Sequence, residues 1–266
     1  MAANAAPGEE WNCLYSATDH TVYCYVPRAA CSTMRIIWSA IHVSDELPCS
    51  PKLKARGHHT VQRRWPKARV EQIERGYIVV RHPFSRAISM YELACRKPEL
   101  FFLPELHSPA LTFRTFCDLL VRKDKLGELK ALNEHIRPVS DLLLTNSLNK
   151  LTTIKLEEGS LVRNIASWYE HTFGADSDVA VRARYVCDNT PASNVQNRIP
   201  YGRCVVDNPY DVTMAAPRRA EYIDAHCLAC VEKAYRKDYT TFGYATGCES
   251  YRSLLDASAP FVQIGA

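Results

Sequence analysis

Two short segments carry residue types at spacings suited to holding phosphate-like anions. The first is Pro27-Arg28-Ala29-Ala30-Cys31-Ser32-Thr33-Met34-Arg35. Its small side chains let backbone N–H groups approach an anion, Ser32 and Thr33 offer hydroxyl donors, and Arg28 supplies charge. The Walker A pattern G-x-x-x-x-G-K-[ST] is absent. The second segment runs from Tyr77 to Tyr91. It reads as a buried strand ending at Arg81, a sharp turn, and a helix that carries Ser89. A strand that runs straight into a helix presents unpaired first-turn N–H groups and the positive end of the helix dipole. Arg81 and Ser89 add a cation and a hydroxyl there. Two such turns in one chain point to a nucleotide with phosphates at both ends.

The elements that must position these residues are legible in the hydrophobic pattern. Thr21 to Val26 reads as a strand closed by Pro27. Ser32 or Thr33 can cap a helix whose Met34, Ile37, Trp38 and Ile41 share one face. Residues 45–70 are polar and basic, with Pro48, Pro51 and Gly57, and read as an irregular connection. Glu71 to Arg75 reads as a short helical piece before a strand over 77–80. Pro83 suits the first position of the next helix, where Phe84, Ala87, Ile88 and Tyr91 form a stripe. Further helices are expected over 113–120, 160–172 and 217–236, with a charged segment over 121–130 and a strand over 151–156. Strands alternating with helices imply an α/β fold, a three-layer α/β/α arrangement with a central parallel sheet. No repeat is visible. The pattern predicts a disordered tail over 1–10, a single domain over 11–248 and a C-terminal tail over 249–266.

Bulk properties narrow the classes. The chain has 266 residues, 47% of them hydrophobic, and 33 basic against 29 acidic side chains for a net charge of +4. That balance argues against a dedicated nucleic-acid binder, yet permits a local basic cleft. No stretch approaches the roughly 20 apolar residues of a membrane span. The first residues have neither a basic region nor an apolar core, so no signal peptide is expected there. No N-x-S/T sequon occurs. Of 11 cysteines, Cys227 and Cys230 form a C-x-x-C without a second pair at zinc spacing. With Ile223, Val231 and Ala234 they read as a core-facing stripe. No carboxylate cluster has metal-ligand character, and no metal is expected.

Four segments together resemble sulfotransferases that use 3′-phosphoadenosine 5′-phosphosulfate, in particular the Golgi carbohydrate sulfotransferases related to the chondroitin 4-O-sulfotransferases. They are Val26 to Ser32; Val80-Arg81-His82-Pro83-Phe84-Ser85-Arg86 on to Ser89 and Tyr91; Asn133-Glu134-His135-Ile136-Arg137-Pro138 followed by Ile154 to Glu157; and Tyr235, Asp238, Tyr239, Phe242, Gly243 and Tyr244. The second block is the most specific. The resemblance implies a P-loop-NTPase-like sulfotransferase fold and that donor as co-substrate. The family usually has Lys at Arg28, Gly-Cys-Thr at Ala30-Cys31-Ser32, and an aromatic residue at Ile136. An arginine still stabilises charge on a leaving phosphate oxygen, but donates a proton less readily than lysine. The membrane anchor typical of the Golgi members is not seen. The resemblance thus implies the Golgi lumen for a fragment of an anchored enzyme, and otherwise a soluble cytoplasmic protein.

By this resemblance Arg28, Ala29, Ala30, Cys31, Ser32 and Thr33 hold the 5′-phosphosulfate, and Arg81 and Ser89 the 3′-phosphate. In-line sulfuryl transfer also needs a base for the acceptor hydroxyl, and histidine suits neutral pH. His59 and His58, shortly before the second strand, are the first candidates, and His135 competes. An alternative for His135 is that it orders the Asn133–Pro138 turn. His82 reads as structural. For the acceptor, Arg63, Arg64, Trp65, Lys67 and Arg69 are the densest basic cluster, with Arg122, Lys123, Lys125 and residues 194–203 as further candidates. The acceptor is read as a carbohydrate hydroxyl, with a small molecule or a protein as the alternative. A nucleotide kinase and a nucleotide-binding protein without activity are the competing classes.

Overall fold

In a computed structural model, residues 10–11, 13–16, 18–42, 65–66, 74–101, 103–142, 150–190 and 219–257 are described. They fall into two compact units, one drawn from Met1–Val80 and Leu142–Asn194, the other from Arg81–Asp141 and Val195–Ala266. The strands are β1 (Glu10–Trp11), β2 (Cys13–Ser16), β3 (Thr21–Cys24), β4 (Trp65–Pro66), β5 (Arg75–Val80) and β6 (Leu151–Lys155). The α-helices are α1 (Cys31–His42), α2 (Pro83–Arg96), α3 (Phe113–Lys125), α4 (Val139–Leu142), α5 (Leu161–Phe173), α6 (Asp178–Asp188), α7 (Ala225–Ala234), α8 (Arg236–Phe242) and α9 (Cys248–Ala257).

The first unit is built on a four-stranded sheet in the order β2-β3-β5-β6, and β1 pairs separately with β4. β3 and β5 are parallel, as are β5 and β6. Tyr77, Ile78, Val79 and Val80 are all fully buried. An unbroken apolar run of this kind suits a central strand covered on both faces. One face, bearing Leu14, Tyr23, Tyr77, Val79 and Ile154, packs with residues of α1, α5 and α6 in a single core cluster. Tyr23 stacks on Tyr77 at 5.2 Å, and Trp168 meets Tyr77 edge-on at 4.6 Å. A polar chain closes the rim: His42 Nδ1 lies 3.0 Å from Asp19 Oδ2, and its Nε2 lies 2.7 Å from the Tyr169 hydroxyl. Burial pushes the Asp19 carboxyl up, but hydrogen bonding and charge interaction with His42 outweigh this and hold it below its ordinary value. Arg182 Nε donates to the Ala40 carbonyl and so satisfies the last turn of α1.

The architecture is the expected mixed α/β type, with a central, mostly parallel sheet flanked by helices. It departs from a purely parallel sheet at one edge, where β2 pairs antiparallel with β3 through a hairpin. The cause is local: Asp19 Oδ1 accepts the Thr21 N–H, and His20 takes the left-handed conformation at φ 54°. Short polar side chains that bond the backbone two residues on are turn formers.

The second unit is centred on α2, from Pro83 to Ala94 almost wholly buried. Phe84, Tyr91, Phe113, Tyr222 and Tyr251 pack around it through edge-on and tilted ring contacts. α3 extends past the expected 113–120 to Lys125, so half of the charged segment is the last part of this helix. The first part of the stretch 249–266, expected as tail, lies in α9, whose Tyr251 is 1% exposed and hydrogen-bonded to Ser85 at 2.7 Å. Cys227, Val231 and Ala234 face the core as expected, whereas Cys230 is only half-buried and turns aside from the stripe.

Gly76 on β5 has no room for a side chain. A Cβ there would lie 2.7 Å from the Val22 carbonyl oxygen and 2.8 Å from Leu151 Cδ2. Because the closest atom is backbone in the neighbouring strand, Gly76→Ala is expected to cost about 1–3 kcal/mol, seen as a lower urea midpoint at unchanged slope.

Candidate functional site

In the first unit the candidate anion cradle starts where β3 ends. Ala29 N–H donates to the Val26 carbonyl, closing a tight turn, and Met34 N–H donates to Ala30 O, which opens α1. Between these bonds Arg28 and Ala30 both adopt left-handed backbone conformations, with φ 70° and 56°. For residues bearing a Cβ this costs about 1 kcal/mol each and persists only where the surroundings enforce it. Ala29 is fully buried, and Ala30 and Cys31 lean on the core cluster. The kink thus exists to bring the chain sharply from strand into helix. The first-turn N–H groups of Cys31, Ser32 and Thr33 stand at the helix entry, and no acidic residue in that turn competes with an incoming anion. Thr33 is half-buried, while the Ser32 side chain lies outside the described residues. Arg35, to which the sequence reading gave no role, belongs to the same region. Its guanidinium sits 4.3 Å over the Tyr25 ring, and its Nε is buried without a hydrogen-bond partner among the described residues. The only sequence signal for it is its place early in α1, just past the candidate cradle.

In the second unit the other candidate segment continues from β5. Arg81 and Ser89 are 8% and 7% exposed, so neither is a solvated surface side chain. Between them His82 caps α2: its Nδ1 accepts the Phe84 N–H at 3.2 Å, and Pro83 occupies the first helical position. Tyr239, Tyr244 and Tyr251 surround the imidazole at 4.8–5.3 Å between ring centres. Burial drives its pKa down to about 4, opposed only by a hydrogen bond with the Ala245 backbone. His82 is therefore a neutral cap beside Arg81 at neutral pH, the structural role expected of it.

The third block and the C-terminal block converge on α2. Arg86, 1% exposed, donates to the carbonyls of Glu134 and His135 at 3.2 and 3.0 Å. The Tyr235 hydroxyl donates to Ile136 O at 2.7 Å. Asp238, 2% exposed, accepts the N–H groups of Val139 and Ser140, both at 2.8 Å, and so caps α4. Burial raises the Asp238 carboxyl above its ordinary value, against the pull of the Arg86 charge and of those two donors. His135 fits the ordering alternative: its Nδ1 lies 2.6 Å from Asn133 Oδ1, which also accepts its backbone N–H.

The remaining candidates separate. His58 and His59 lie outside the described residues, as do Arg63, Arg64, Lys67, Arg69 and residues 194–203. Arg122 and Lys123 are tied to Glu105, and Lys123 also to Glu128, in exposed ion pairs.

A family profile for sulfotransferases matches residues 11–245. The chain belongs to the sulfotransferase family, and its chemistry is sulfuryl transfer. No individual curated protein and no solved structure matches it significantly.

Two outcomes follow from this geometry. In the unfolded chain His82 takes a proton near pH 6.5, and in the folded chain only near 4. The unfolded state therefore binds more protons between those values, and stability falls as pH drops through that window, by about 3 kcal/mol in total. His82→Asn keeps a side-chain cap without titrating. Its melting temperature is expected to fall less than that of the parent chain between pH 7 and pH 4. Asp238→Asn removes a carboxylate that two backbone donors and a buried arginine require, and is expected to cost about 3 kcal/mol in denaturant unfolding.

Proposed function

We propose that this sulfotransferase moves a sulfuryl group from 3′-phosphoadenosine 5′-phosphosulfate to a hydroxyl of a carbohydrate. The observation that carries the donor assignment is the left-handed kink at Arg28 and Ala30, which aims a carboxylate-free helix N-terminus beyond the end of β3. β3 and β5 are adjacent and parallel, so both strands end at the same edge of the sheet. Ligands of open α/β sheets bind beyond the carboxyl ends of the strands.

On this reading the backbone of 29–33, with Ser32 and Thr33, holds the 5′-phosphosulfate, and Arg28 stabilises the charge that grows on the leaving phosphate oxygen. Preorganised donors aimed at developing charge are the main resource for this kind of transfer. Arg81 and Ser89 hold the 3′-phosphate and select the donor over ATP-like nucleotides. His59, or His58 beside it, takes the acceptor proton as sulfur passes to the acceptor oxygen. His135 holds its turn instead. The four family-like segments support a carbohydrate acceptor, and with it the Golgi lumen as the site of action for a fragment of an anchored enzyme and the cytoplasm otherwise. The alternative within the same chemistry is a small-molecule or protein hydroxyl.

The test is binding first and transfer second. Calorimetry should show 3′,5′-ADP binding far more tightly than ATP, and Arg81→Ala should weaken 3′,5′-ADP by about ten- to a hundredfold while leaving the fold intact by circular dichroism. Equal affinity for the two nucleotides would remove the donor assignment. Labelled sulfate should then pass to a glycan panel, with His59→Ala or His58→Ala lowering kcat while 3′,5′-ADP affinity stays unchanged. Transfer to phenols or tyrosyl peptides alone would move the acceptor to the alternative class.

A further inference from the structure

The seam between α3 and α7, within the second unit, carries a side-chain cluster that sulfuryl transfer does not use. Three rungs cross it. Arg114 and the α7 cap Asp224 make a forked ion pair, with nitrogen–oxygen distances of 3.4 and 3.3 Å. Cys117 and Cys227 meet in the buried middle. On the outer side, Asp118 of α3 faces His226 and Cys230 of α7, which stand four residues apart on one helical face. His226 Nε2 lies 2.7 Å from Asp118 Oδ1, and Cys230 Sγ lies 3.6 Å from His226 Nε2 and 3.7 Å from Asp118 Oδ1.

Those separations can be compared with what a tetrahedral metal centre requires. Zinc bond lengths of about 2.3 Å to thiolate, about 2.05 Å to imidazole and about 2.1 Å to carboxylate imply edges of about 3.6 Å from sulfur to nitrogen, about 3.6 Å from sulfur to oxygen and about 3.4 Å from nitrogen to oxygen. Both sulfur edges are already at these values. Only the Asp118–His226 contact must open, by about 0.7 Å on the same geometry. Both side chains are about half exposed, at 53% and 50%, and can turn to do so. The helices that carry them are fixed by the two other rungs, so the three donors are held close before any ion arrives. Asp118 also lines a cleft of about 420 Å³ with Thr115, Ser108 and Glu105, which gives an ion a way in from solvent.

We propose that Asp118, His226 and Cys230 form a binding site for a divalent ion of the zinc class, with water in the fourth position. The mixed sulfur, nitrogen and oxygen donor set suits zinc or cobalt over magnesium or calcium, which take oxygen ligands. On coordination the Cys230 thiol releases its proton to water and binds as thiolate. The ion pins α3 to α7 from outside, through residues other than those assigned to the donor nucleotide.

The full-length reduced, chelator-treated protein is titrated with cobalt(II), which reports its ligands by colour. One equivalent is expected to bind with a thiolate-to-cobalt charge-transfer band and visible bands of tetrahedral strength, and zinc is expected to displace it. Cys230→Ser is expected to lose the charge-transfer band. His226→Ala and Asp118→Ala keep the thiol, and each is expected to bind cobalt about tenfold or more weakly, with the helical circular dichroism unchanged. Zinc is expected to raise the melting temperature of the parent chain and not of these variants. The proposal is overturned if the parent chain takes up no cobalt at one equivalent, if Cys230→Ser retains the band, or if His226→Ala and Asp118→Ala bind as the parent does.

Discussion

The second unit depends on a carboxylate kept away from water. Asp238 is almost wholly buried, at a cost that must be offset by partners. Its partners are the two backbone donors that open α4, together with the charge of Arg86. Arg86 in turn holds the carbonyls of Glu134 and His135, and Tyr235 holds that of Ile136. Two segments far apart in sequence, 134–140 and 235–238, are thereby fastened to one turn of α2. The same turn carries the capping histidine next to Arg81, so the hub governs where the candidate phosphate ligand begins.

The first unit solves a different problem with different means. Its sheet is buried by large aromatic rings, and the chain must leave β3 and enter α1 within a few residues. Arg28 and Ala30 accept left-handed backbone conformations to achieve this. A glycine at the second of these positions would adopt that conformation without strain. Alanine there holds the loop in a narrower range of conformations in the unfolded chain, at the expense of local strain in the folded one.

Much of this was legible from residue order, because the strongest signals were local. The run Tyr77 to Val80 is apolar without interruption, and only a covered strand accommodates that. Pro83 marks a helix start because its missing N–H has no partner there in any case. The stripe Phe84, Ala87, Ile88 and Tyr91 is buried as its spacing requires. What escaped notice was set by contacts distant in sequence. β2 has four residues and no alternation, and becomes a strand by pairing with β3. α6 has three valines in its eleven residues, and its small buried positions Ala180 and Ala183 give a weak pattern. The purpose of Arg86 could not be read from its neighbours, since its partners lie 48 and 49 residues away. Cys230 looked like one more small residue in a stripe until α3 supplied Asp118 beside it.

The last helix has a bearing on where this domain stops. The family profile closes at residue 245, yet the ring of Tyr251 lies 4.8 Å from His82 and its hydroxyl meets Ser85. A chain cut at the profile boundary would strip one wall from the capping imidazole and let solvent reach it. The imidazole would then drift back toward its solution basicity and acquire charge close to neutrality, where it would donate at both nitrogens and could no longer accept the Phe84 N–H. The minimal enzyme is thus longer than its recognisable signature.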